Sequence, residues 1–190
     1  MATVKAKSMV RGVSVENIVY DYLKSKGLDI KKTPAEVDMR DHIDFTFYSD
    51  KLSKTVGIDV KAPVVIKGYE PGNVNYATFI NNQGIPGWLY GKADFAFLVT
   101  FKEFVIVKLS ELREFMEEKT IGQEPLFGNP KKLYTKFHCS NFKEYNEGKS
   151  NDKYRKSVSS LFLIDDVKRL PSSKSIEHGM KEEIEKLCNY

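Results

Sequence analysis

The stretch DHIDFTFYSDKLSKTVGIDVKAP, residues 41–63, decides how this chain is read. From His42 to Tyr48 the residues alternate, with Ile43, Phe45 and Phe47 on one face of a strand and Asp44, Thr46 and Tyr48 on the other. Ser49 to Lys54 is a polar turn, and Thr55 to Ala62 reads as a second strand that buries Val56, Ile58 and Val60. Centring the hairpin on that turn sets Asp44 directly across from Asp59. Side chains alternate along a strand, so Asp59 and Lys61 share one face, opposite Ile58 and Val60.

Directly opposed residues of a hairpin hold their Cβ atoms about 4.5–5.5 Å apart, and like charges at that spacing repel. A hard divalent cation relieves the repulsion, and Mg²⁺ typically takes one or two carboxylates while keeping several waters. Lys61 beside such an ion can orient or deprotonate a water, or stabilise charge developing on a phosphate. The three residues together suffice to hydrolyse a phosphodiester. The tripeptide acid-x-Lys is common here, starting at Asp29, Asp59, Glu117, Glu147 and Asp166. Only the Asp59 copy has an apolar strand beneath it and an upstream acidic strand within hairpin distance. The competing account of Asp59 and Lys61 is a surface ion pair.

Composition bounds the alternatives. At 190 residues, 41% hydrophobic and 29% charged, the chain is one domain's worth with material for a core. No stretch approaches the roughly 18–20 apolar residues of a membrane span, and MATVKAKSMVRG has no apolar segment of a secretory signal. Cys139 and Cys188 offer neither a disulfide framework nor zinc spacing. The expectation is a cytoplasmic protein without a membrane partner. The net charge of +4 is unevenly spread. Residues 131–160 carry Lys131, Lys132, Lys136, Lys143, Lys149, Lys153, Arg155 and Lys156 against Glu144, Glu147 and Asp152, interleaved with Tyr134, Phe137, Phe142, Tyr145 and Tyr154. Cations attract phosphate and aromatic rings stack on bases, a mixture suited to nucleic acid. A solubilised loop with anchoring aromatics is the plainer account.

Around the central stretch, Ser14 is a plausible N-cap for a helix carrying Val15, Ile18, Val19, Tyr22 and Leu23, which Gly27 ends. A polar linker containing Pro34 runs to about Asp41. Val64 to Ile66 is a candidate third strand, and Tyr76, Phe79 and Ile80 suit a short helix within Gly- and Pro-rich sequence. Asp94–Thr100 and Phe104–Lys108 read as an apolar hairpin. Ser110 is placed to cap a helix to about Lys119, with Leu112, Phe115 and Met116 inward. Leu161–Ile164 is an apolar run, and Ile176, Met180, Ile184 and Leu187 mark a tail helix. This is an α/β or α+β domain.

The order SVENIVYDYLKSKG, then DHIDFTFYSD, then VGIDVKAP resembles the PD-(D/E)xK nuclease superfamily, with its restriction-endonuclease-like fold. INNQGIPGWLYGKADFAFLV also fits phage- and resolvase-like members. The resemblance covers roughly the first 110 residues and implies an αβββαβ core with a central mixed β-sheet flanked by helices. Residues 1–125 then form the nuclease core and 126–190 a basic, helical extension packed on the same domain. Asp44 stands at the first acid of the motif, Asp59 at the second and Lys61 at its lysine. The resemblance adds the Val60 carbonyl and Glu16 as metal ligands and Gln83 as a catalytic candidate. Ile43 replaces the eponymous proline, and the linker from Gly27 to Asp41 is long.

The reading is a Mg²⁺-dependent endonuclease acting on DNA, with Mn²⁺ able to substitute and RNA as the alternative partner. Lys131, Lys132, Lys136, Lys149, Lys153, Arg155 and Lys156 would grip the backbone. Glu16 either reaches the site or lies on the helix surface near the N-terminal dipole. His42 shares the strand face of Asp44, Tyr90 and Lys92 suit either a groove or a loop, and Trp88 suits a packing anchor. Two rivals stand: a silent nucleic-acid-binding module of the same fold, and a protein-interaction domain using the tail-helix stripe. A homodimer is compatible with the first reading.

Overall fold

Val15, Val19 and Leu23 recur four residues apart, so they line one face of a helix and are buried there. That helix begins a computed structural model that describes residues 4–81, 84–127, 132–138 and 157–188. In chain order the elements are α1 (Val4–Ser25), β1 (Ile30–Lys32), α2 (Ala35–Asp41), β2 (Phe45–Ser49) and β3 (Lys54–Lys61). Next come β4 (Val74–Ile80), a 3₁₀ turn (Trp88–Tyr90), β5 (Phe95–Val99), β6 (Glu103–Lys108) and α3 (Leu109–Lys119). The remainder is β7 (Leu126–Phe127), β8 (Phe137–His138), β9 (Val158–Leu163), α4 (Ile164–Val167), β10 (Lys174–Glu177) and α5 (Lys181–Cys188).

Two sheets organise the fold, which is mixed α/β. The larger has the order β1-β2-β3-β5-β6-β10, and the smaller β4-β9-β8-β7. β2 and β3 are antiparallel with Phe45 opposite Ile58 and Thr46 opposite Gly57, the register that the turn predicts. β3 and β5 run parallel, pairing Asp59 with Ala96 and Lys61 with Leu98. Asp94 fixes where that pairing begins: its carboxylate accepts from the Gly57 N–H at 2.8 Å and its own N–H donates to the Gly57 carbonyl at 2.9 Å. Because parallel neighbours cannot be joined by a tight turn, the chain leaves through β4 and the 3₁₀ turn before returning as β5.

Both faces of the larger sheet are covered. On one, α1 and α5 enclose Ile30, Phe45, Ile58, Val60, Phe97, Val99 and Phe104, with Tyr22 edge-on to Phe104 at 4.9 Å. On the other, Ala96, Leu98, Val105 and Val107 pack against Ala77, Phe79, Trp88, Leu112, Met116 and Phe162. Gly27, at φ +83°, turns the chain out of α1 in the left-handed conformation that favours glycine.

Several expectations are corrected. α1 starts ten residues before Ser14, because Ala6, Lys7, Met9 and Arg11 are strong helix formers and no proline intervenes. The stretch expected as a linker forms β1 and α2. β2 begins at Phe45, since His42 sits at φ +53° and breaks the alternation. Ile43 therefore packs with the opposite cluster, next to Gly57, rather than beside Phe45. Val64 makes one bridge to Val74 rather than a strand. Tyr76–Ile80 is strand, buried at Asn75, Ala77 and Phe79 against β9. α3 starts at Leu109, so Ser110 lies inside its first turn rather than capping it. Ile176 belongs to β10, and Ile184 is fully buried against α1 and the sheet, so the tail stripe is spent in the core.

Truncating Ile184 tests that docking. Ile184→Ala should cost about 2–5 kcal/mol and lower the melting temperature by roughly 5–15 °C, measured by circular dichroism. A fall below about 2 °C would show that α5 does not contribute to the core.

Candidate metal-dependent active site

The site forms where the parallel strands β3 and β5 end, the kind of crevice in which open α/β sheets hold ligands. Asp44 stands one residue before β2, just beyond the Phe45–Ile58 pair where the regular hairpin register ends. The Asp44 N–H donates to the Ile58 carbonyl at 2.8 Å, and its carboxylate accepts from the Val60 N–H at 2.5 Å. Backbone bonds thus hold it across β3. Asp59 is 1% exposed, on the face covered by the second sheet. One of its oxygens accepts from the Lys61 ammonium, while Oδ2 is buried without a hydrogen-bond partner. Burial, aided by Asp44 and Asp38, pushes the Asp59 carboxyl well above the ordinary range, against the pull of Lys61. Burial opposes the charge on Lys61 too, but Asp59, Asp44 and Asp38 outweigh it and hold the ammonium above its ordinary value.

Lys61 also lies 5.1 Å from the centre of the Trp88 ring. Trp88 is buried and donates its indole N–H to the Tyr76 carbonyl at 3.0 Å, so it acts as a packing wall beneath the lysine. Asn75 ties the chain after β3 to β4 through the Ala62 carbonyl at 3.2 Å.

α2 contributes a carboxyl that the sequence reading missed. The Asp38 carboxyl is raised to about 6, by burial first and then by the neighbouring Asp44. Glu16, half-buried on α1, is also pushed up to about 6, by burial first and then by Asp44 and Asp38, with Lys61 and Lys32 opposing. Glu16 therefore belongs to the same electrostatic cluster. The missed signal was Pro34 followed by acids at Glu36 and Asp38, a helix-start pattern hidden inside an apparent linker.

Asp41 secures α2. It pairs with Arg40 at 2.8 Å and Lys92 at 2.9 Å, which hold its carboxyl far below the usual range. Lys92 is thus a clamp, and its N–H also donates to the Asp41 carbonyl at 2.7 Å. A Cβ on Gly91 would come within 2.8 Å of the His42 Cβ, so glycine is what lets the turn approach α2 this closely. Burial and then the Lys61 charge lower the His42 imidazole, against a bond to the Pro86 carbonyl. Tyr90 donates to Glu117 at 2.8 Å. Lys132 is exposed and Lys136 half-buried near β8. Gln83, Lys131, Lys149, Lys153, Arg155 and Lys156 lie outside the described residues.

Glu16, Asp38, Asp44 and Asp59 thus surround one buried ammonium, and oxygen donors of this kind suit a hard cation. Among the described residues, however, no three His, Cys, Asp or Glu side chains converge closely enough to hold one. Lys61 takes one oxygen of Asp59, and the Val60 N–H takes one of Asp44. The unpartnered Asp59 Oδ2 is the donor left over. Comparison with protein-family models, with curated proteins and with solved structures gives no match. No helix among the described residues is long and apolar enough to cross a membrane.

The cluster makes a signed prediction. Asp38 at about 6 in the folded chain, against 3.8 ordinarily, holds a proton that the unfolded chain has released. The stability it contributes is present at low pH and is lost as pH rises from about 4 through 6. Asp38→Asn should therefore stabilise the cation-free protein at pH 7.5 by about 1 kcal/mol, discounted because the group is half exposed, or ~2–4 °C. The gain should shrink below pH 6 and nearly vanish at pH 4. Thermal melts across pH check it, and an Asp38→Asn protein less stable than wild type at pH 7.5 contradicts it.

Proposed function

We propose that this protein is a Mg²⁺-dependent nuclease that hydrolyses DNA endonucleolytically on a restriction-endonuclease-like core. The observation that carries the reading is the buried Asp59–Lys61 pair on one face of β3, with an unpartnered Asp59 oxygen and the Asp44 carboxylate bonded to the Val60 N–H that lies between them in sequence. The succession of α1, β1, β2 and β3, with α2 inserted between β1 and β2, then a crossover and β5 supports the resemblance. Here the crossover between β3 and β5 contains β4 and a 3₁₀ turn where the family pattern has a helix.

Asp44 and Asp59 would hold the cation, with Glu16 and the Val60 carbonyl as the further ligands that the resemblance implies. When bound, Mg²⁺ supplies a Lewis acid for phosphate oxygen and lowers the pKa of water. The chain's own residues do the rest. Asp44 is fixed by the Val60 N–H and so keeps its carboxylate at the head of the hairpin. Lys61 remains an ammonium above Trp88, suited to neutralising charge that develops on the phosphate rather than to abstracting a proton. Lys132 and Lys136 are the described members of the basic stretch that would attract the backbone.

A second reading, a silent nucleic-acid-binding module of the same fold, is favoured by one observation: among the described residues, three donors do not converge.

Plasmid cleavage separates the two. Wild type should nick and linearise plasmid with Mg²⁺ or Mn²⁺ and not with EDTA. Asp44→Asn and Asp59→Asn should each lower the rate at least a hundredfold, roughly the loss of one charge-stabilising group, with melts confirming folding. DNA binding without cutting under either metal would establish the silent module instead.

A further inference from the structure

One groove lies beside the acid cluster and is not used by it. Phe79, Ile80, Pro86, Tyr90, Lys136 and Val158 line a cavity of about 560 Å³ between the end of β4, the 3₁₀ turn and β8. That volume falls in the usual range for small-ligand sites, about 300–1,000 Å³. Its walls are mainly apolar and aromatic: Phe79 and Tyr90 hold their rings 6.4 Å apart at a tilt of 55°. Ile80 is 41% exposed and Tyr90 38% exposed at this site.

Two cations sit at the rings. The Lys136 ammonium is 5.2 Å from the centre of Phe79, and Lys136 makes no ion pair among the described residues. The Arg113 guanidinium is 5.3 Å from the centre of Tyr90, held by hydrogen bonds to the Leu89 and Gly91 carbonyls. The groove is also joined to the acid cluster. The three-residue turn that ends at Tyr90 in the groove begins at Trp88 beneath Lys61.

An aromatic wall with a spare ammonium over one ring, linked by the Trp88–Tyr90 turn to the acid cluster, matches one kind of occupant. A base offers a π-face to the rings, and its own phosphate offers a charge to Lys136. A duplex keeps its bases stacked inside, so only an unpaired or extruded base can enter such a groove. We propose that this groove holds an unstacked base of the bound nucleic acid, making the substrate of the neighbouring site single-stranded or locally unpaired. This rests on the nuclease reading and narrows it. Tyr90 supplies the stacking face, Ile80 the floor and Lys136 the phosphate contact.

The test measures binding by the full chain in EDTA, using fluorescence anisotropy with a labelled twenty-residue oligothymidylate, the matching oligouridylate and a twenty-base-pair duplex. Wild type should bind a single strand at least about tenfold more tightly than the duplex. Tyr90→Ala should lose about tenfold for single strands, one stacked base's worth, with duplex affinity unchanged. Tyr90→Phe should restore the loss, because it keeps the ring and drops only the hydroxyl that Glu117 accepts from. Ile80→Glu, at an exposed position, should lose single-strand affinity independently of Tyr90. The two single-stranded probes decide between deoxyribose and ribose, and either preference supports the base site. Equal or tighter duplex binding, or an equal loss on both probes in Tyr90→Ala, overturns the inference while metal-dependent plasmid cutting would leave the nuclease reading standing. No binding to any probe overturns the inference, and the nuclease reading falls with it only if plasmid is not cut with Mg²⁺ or Mn²⁺ either.

Discussion

A carboxylate that is almost wholly removed from water, Asp59, is the constraint on which the rest of this structure turns. Burying a charge is costly unless it is paired, and breaking such a pair by removing one partner typically costs about 3–5 kcal/mol. Lys61 is the partner, two residues along the same strand, and it is itself mostly buried over Trp88. An ion pair of this kind is a weak source of stability, since a well-packed apolar pair serves as well or better. A face built of Asp59 and Lys61 where Ile58 and Val60 occupy the other is therefore not accounted for by stability alone.

The surrounding elements hold that pair in place and add to its negative charge. Hairpin register delivers Asp44, α2 delivers Asp38, and α1 delivers Glu16. Each arrives on a different element, so the cluster exists only in the complete tertiary fold. The chain invests in the positioning: Arg40, Lys92 and Asp41 pin α2, Gly91 admits the 3₁₀ turn, and Asn75 anchors the exit from β3. Burial first, and then the neighbouring carboxylates, displace the Glu16, Asp38 and Asp59 carboxyls upward.

What could be read from the sequence follows from how local each signal is. The β2–β3 register was legible because a short polar turn and a two-residue alternation fix it together. The β5–β6 hairpin was legible for the same reason. β4 was not, since its inward positions are Asn75, Ala77 and Phe79, and the first two carry little apolar signal. β1 and α2 were too short to show a period, which hid Asp38 in a supposed linker. His42 looked like strand because nothing in the sequence marks a left-handed residue there. Ile176 and Ile184 matched a helical spacing by coincidence, as a strand and a helix separated by Gly179. Glu16 entered only through the family resemblance, and its proximity to Asp44 is a tertiary fact.

The docking of α5 on α1 bears on how such a molecule is made. The ribosome releases α1 first among the described elements and α5 last, yet Val15, Val19 and Ile184 share one core. Synthesis proceeds at about 5–20 residues per second, so α1 waits several seconds without its full cover. The core beneath α1 is thereby closed by the last described element, although most of its members are translated long before.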